Sequence, residues 1–105
     1  MSKEFSIDRE FLLKTAKEIL EFNSPTGFCF EIMDRIEEII KSFGYKFERN
    51  NKGCGIITVE GESSDKTIGL CAHVDTLGAM VRSITPSGSL KFTILKDKVI
   101  QSKTA

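Results

Sequence analysis

The chain opens with two stretches in which apolar residues recur at helical spacing. In "SIDREFLLKTAKEILEF", Leu12, Ala16, Ile19 and Leu20 fall on one face, with Lys14, Lys17, Glu18 and Glu21 to the other side. Ser6 or Asp8 can cap its start, because either side chain can accept from the free N–H groups of a first turn. The helix must end near Asn23: Pro25 disfavours helical backbone at Ser24, and Gly27 loosens the turn "NSPTG". A second helix is predicted in "FCFEIMDRIEEIIKSF", where Phe28, Ile32, Ile36, Ile39, Ile40 and Phe43 form one apolar stripe. Thr26 is placed to cap it and Gly44 to stop it. Glu37 and Lys41 have the i,i+4 spacing of an ion pair, and Lys41 also suits the negative end of the helix dipole.

The period then shortens to two. "YKFER" alternates apolar and charged residues as a half-buried strand does, "NNKGCG" is turn chemistry, and "GIITVEG" reads as the next strand. "GESSDK" is a polar loop. "TIGLCAHV" is apolar almost throughout, the pattern of a strand covered on both faces. After the break at "DTLG", "AMVRSIT" and "LKFTIL" form two further strands joined by the hairpin loop "PSGS". The expected fold class is therefore α/β, two N-terminal helices followed by a mostly β segment packed beside them. From Lys96 onward, "KDKVIQSKTA" is polar and unpatterned, so an irregular tail is expected over 96–105 and one domain over 1–95.

Composition narrows the function classes. At 105 residues the chain is one small domain. Lys plus Arg is 15 and Asp plus Glu is 15, a balance that gives no electrostatic reason to expect nucleic acid or an anionic membrane as partner. No apolar run approaches membrane-spanning length. Cys29, Cys54 and Cys71 are odd in number and lack C-x-x-C spacing, and "MSKEFSIDRE" has no apolar signal-peptide core. A reduced, cytoplasmic protein is the expectation.

The candidate chemistry lies in "IGLCAHVDTLGAMV", which holds the only histidine, His73, two residues before Asp75. Residues two apart in a strand share a face, roughly 7 Å apart along the chain. At a strand end, a neutral imidazole is a good ligand for zinc or cobalt, and a carboxylate beside it can hold it in orientation. On spacing alone, however, a hydrogen-bonded structural histidine is the stronger reading. Cys71 would share that face but reads as an inert strand cysteine. Cys54, between two glycines in a turn, is expected to be exposed and reactive with no implied function. "ESSD" at 62–65 reads as a solvated turn, and Glu37 and Glu38, adjacent on a helix, do not face each other.

The longer string shifts that balance. "CAHVDTLGAMV" followed by "ITPSGSLKF" resembles the cocatalytic metallo-aminopeptidases of the tetrahedral, glutamyl and leucyl type, some of which are described as endoglucanases or cellulases. "NSPTGFCFEIMDRIEEII" is similar to that family's early segment, in which a P-S/T-G-x-E-type turn opens a helix. The resemblance runs over residues 8 to 95. It implies a zinc-peptidase-like (phosphorylase/hydrolase-like) catalytic domain, with His73 as the first metal ligand, Asp75 as the active-site acid that supports it, and Gly78 as the glycine of the following turn. It further implies two divalent ions, zinc or cobalt, a peptide substrate trimmed at its N-terminus, and a homo-oligomer. The glucanase activity is the weaker implication, since glycoside hydrolysis uses two carboxylates flanking the bond.

Two departures stand out. The family's "GN" is here Gly53-Cys54-Gly55, and its Gly-Gly step after the L-x-F strand is replaced by "LKDKVIQ". The remaining ligands and the general-base glutamate lie downstream in the longer family members, past an inserted oligomerisation domain that would begin near residue 96. A catalytic zinc takes about three protein ligands. The chain is thus expected to be an N-terminal portion of such an enzyme and inactive alone. The alternative is a noncatalytic remnant that self-associates or binds a partner through edges the rest of the domain would cover.

Overall fold

The computed structural model describes residues 4–95 and 101–104. Helix α1 spans Arg9–Leu20, and Asp8 settles the choice of cap by accepting from the Phe11 amide at 3.0 Å. Its apolar stripe remains largely uncovered: no residue of α1 is buried, and Leu12 and Leu20 are exposed. Helix α2 spans Phe30–Ser42 and carries what core there is, with Ile32 and Met33 buried. It starts two residues later than the stripe suggests, because a turn closes first, the Phe28 amide donating to the Pro25 carbonyl at 2.8 Å. Phe28 then packs edge-on against Phe30. The helix stops at Gly44, whose φ of +82° is left-handed backbone that glycine adopts without steric cost.

Strands β1 (Lys46–Arg49) and β2 (Gly55–Thr58) form an antiparallel hairpin packed on α2. Asn50 shapes its turn, its Oδ1 accepting from the amides of Lys52 and Cys54 at 3.0 Å each. Gly55 leaves room for its neighbours: a Cβ there would come within 2.8 Å of both the Phe47 ring and the Met33 methyl, so those side chains would have to shift. Arg49 ties the hairpin to the helix through Asp34 at 2.6 Å and Glu37 at 2.7 Å, while Lys41 reaches Glu37 at 2.6 Å. Glu38 turns the other way, to Arg35, which also pairs with Glu18 on α1. The adjacent acids indeed serve different neighbours.

A second sheet is built from β3 (Gly78–Ile84), β4 (Leu90–Leu95) and β5 (Gln101–Thr104), all antiparallel, with a register shift between Val81 and Ser83. Strand β5 corrects the expectation of an irregular tail over its four residues. Its backbone pairs with β4, a source of order that side-chain periodicity does not register. Residues 96–100 lie outside the described residues.

A larger correction falls on "TIGLCAHV". Residues 67–73 are exposed and belong to no strand, and Ile68 and Leu70 are 88% and 95% exposed. Their apolar run asks for neighbours on both faces, and no described strand pairs with them. The consequence is an elongated molecule, 69 × 31 × 23 Å, with a radius of gyration of 19.2 Å against about 13 Å for a compact domain of this length. The first sheet sits beside the helices as expected. Among the described residues, the second is joined to them where the turn after α1 meets the residues leading into β3.

Candidate functional site

That contact is where the candidate residues lie. Ser24, fully buried, donates from Oγ to the Val74 carbonyl at 2.8 Å, and its own carbonyl accepts from the Thr76 amide at 2.8 Å. Pro25 and Thr76 form an isolated parallel bridge. Gly78 lets the two segments close, because a Cβ there would collide with the Pro25 ring. The turn thus grips the chain on both sides of Asp75.

Thr26, expected to cap α2, does something else. The residue at the N-cap position is Cys29, which makes no side-chain cap, and the Thr26 hydroxyl donates instead to Asp75 Oδ2 at 2.9 Å. The turn carries Thr26 away from the helix start and against a residue 49 positions later. The other carboxylate oxygen, Asp75 Oδ1, lies 3.1 Å from His73 Nδ1, and the Asp75 backbone carbonyl lies 3.1 Å from the same nitrogen. The Thr26 hydrogen bond is the largest influence holding the Asp75 carboxyl below its ordinary pKa. Its own backbone and His73 add to that, and partial burial opposes it. The His73 side chain is 85% exposed, so its Nε2 edge faces solvent.

Beside the pair opens a cleft of about 410 Å³, walled by Met33, Ile36, Phe47 and Ile57 and reaching Cys29 and Cys54. Its donor set tests whether a metal fits. Among the described residues, no group of three His, Cys, Asp or Glu side chains comes together to hold an ion. His73 and Asp75 fit one limb of a metal centre and do not complete one. Cys54 is exposed as expected, while Cys71 is exposed rather than buried in a strand, and all three cysteines are free.

The sequence singled out His73, Asp75 and Gly78 but missed Ser24 and the true role of Thr26. The signal available for those two was the turn chemistry of "NSPTG", which says that the chain bends and not what it bends against.

Two comparisons bear on this segment. The family model described as M42 glutamyl aminopeptidase matches residues 53–99, a stretch that contains His73, Asp75 and Gly78. The Bacillus subtilis (strain 168) protein named "Putative aminopeptidase YhfE" is 39% identical over 83 residues, covering 79% of this chain and 24% of that protein. The chain therefore spans about a quarter of the length of the curated relative it matches. With the family match falling on the H-x-D turn and the relative's similarity extending over most of the chain, this α/β chain is similar to part of an M42 glutamyl aminopeptidase.

Proposed function

We propose that this chain is the N-terminal portion of a metal-dependent aminopeptidase, in which His73 is one metal ligand and Asp75 is the acid that orients it. The observation that carries the reading is the pairing of His73 Nδ1 with Asp75, which leaves Nε2 open, inside the segment matched by the family model. In the parent reaction a peptide loses its N-terminal residue. Two bound divalent ions, zinc or cobalt, supply polarisation of the scissile carbonyl and a lowered pKa for bound water. The share of this chain is one imidazole held in place. The further ligands and the carboxylate base belong to sequence beyond these residues, so the chain alone is inactive. Cytoplasmic residence fits its three free cysteines, and the parent enzyme is read as a homo-oligomer.

The ligand assignment is tested by calorimetric titration of zinc and of cobalt into the 105-residue chain. Weak binding that disappears in His73→Ala supports it. Binding unaffected by that substitution overturns it.

A second reading, a noncatalytic module, is favoured by one observation: Ile68 and Leu70 before the H-x-D turn and Leu77 after it stand almost fully exposed. Such a surface gains by pairing with another chain. A coding sequence that continues in frame into further His, Asp and Glu motifs supports the enzyme reading. Stop codons directly flanking the 105 codons favour the module.

A further inference from the structure

We propose that Thr26 is a positioning residue for His73, acting through the Asp75 carboxylate to set which ring nitrogen carries the proton. The proposal rests on the ligand reading only for its purpose. The relay itself is a property of this chain.

A carboxylate attached through a single bond has a broad, roughly two-fold rotational preference, so Asp75 alone does not hold one oxygen toward the imidazole. Thr26 removes that freedom. Its hydroxyl donates to Oδ2 at 2.9 Å, which leaves Oδ1 directed at His73 Nδ1 at 3.1 Å. The backbone cannot drift away, because Ser24 holds Val74 and Thr76 on either side of Asp75. Both groups within reach of Nδ1, the Asp75 carboxylate and the Asp75 carbonyl, are acceptors. Nδ1 must therefore carry the hydrogen, and in the neutral ring the lone pair falls on Nε2, the exposed edge. Free imidazole side chains in water favour the opposite tautomer, so the relay selects against the intrinsic preference. The selected form presents a lone pair outward, which is what a metal ligand with an oriented inner nitrogen requires.

His73 is the only histidine of the chain, so one pair of ring nitrogen signals reports on it. The experiment is long-range proton–nitrogen correlation NMR on the metal-free chain with labelled histidine, at a mildly alkaline pH where ordinary imidazoles are neutral. The wild-type chain is expected to hold mainly the Nδ1–H tautomer. Thr26→Val is expected to lower the Nδ1–H to Nε2–H ratio by about threefold or more, the effect of releasing one charge-assisted hydrogen bond. Thr26→Ser, which keeps the hydroxyl, is expected to restore it. A wild-type spectrum dominated by Nε2–H overturns the proposal without recourse to any variant. So does a Thr26→Ser chain that behaves like Thr26→Val. Because no metal is present, this result is separable from the ligand reading, which the metal titration tests by itself.

Discussion

The buried hydroxyl of Ser24 donates to the carbonyl of Val74 at 2.8 Å, across fifty residues of sequence. This bond and its backbone counterpart from Thr76 join the helical part of the chain to the sheet of β3, β4 and β5. A carbonyl left without its donor in a part-buried site loses about 1–3 kcal/mol. Ser24→Ala is accordingly expected to destabilise the junction by about that amount. Hydrogen exchange reads it directly: the Thr76 amide should exchange faster in the variant, while the α2 amides stay as protected as before. Unchanged Thr76 exchange would count against the bond as a fastening.

Gly78 and Pro25 set the closeness of the same junction. A methyl at Gly78 meets the Pro25 ring, so Gly78→Ala is expected to cost about 1–3 kcal/mol, as overpacking does. Gly61→Ala is the control, because a Cβ there meets only the Ser63 carbonyl at 3.9 Å. Amide chemical shifts of residues 24 to 26 should move in the Gly78 variant and hold still in the control.

Acid should loosen the β1–β2 hairpin from α2. The Glu37 carboxyl is held below the usual range, first by its hydrogen bond from Lys41 and also by Arg49, against the opposing effect of burial. A carboxylate with a depressed folded pKa contributes stability that is present above its ordinary value and lost as pH falls through the lowered one. Lys41→Ala should therefore return the Glu37 titration toward the ordinary value of about 4.3, followed by carboxyl carbon NMR. Salt should have the same direction of effect, since Lys41 is exposed and Arg49 and Glu37 are only half-buried.

No aminopeptidase turnover is expected from this chain with added zinc or cobalt. A single histidine–carboxylate pair lacks the ligand count of a catalytic site. Hydrolysis of aminoacyl chromogenic substrates that vanishes in His73→Ala would mean that donors from a second copy complete a centre.

Exposed apolar residues at 68, 70 and 77 should drive concentration-dependent association. Sedimentation velocity is expected to register it, and Leu70→Lys should weaken it. A monomer across the whole concentration range would remove the support for the module reading.

Most of the local structure was legible in the sequence because its causes are local. Asp8 caps α1, Gly44 ends α2, and "NNKGCG" and "PSGS" turn the chain, each through backbone preferences set within a few residues. The H-x-D turn was equally visible, as spacing and as family resemblance. "TIGLCAHV" was not. Its composition states a demand for burial, and whether that demand is met depends on strands from elsewhere.

By itself, then, the sequence determined the helices, the two hairpins, and the place of His73 and Asp75 at the end of an apolar run. Only the tertiary structure decided that Ser24 is the buried fastening, that Thr26 serves Asp75 rather than a helix start, and that Gly78 is small because Pro25 lies against it. The physical reason is range. Helix caps and turns are chosen within one turn of chain, whereas a hydroxyl and a carboxylate 49 residues apart meet only where two turns dock.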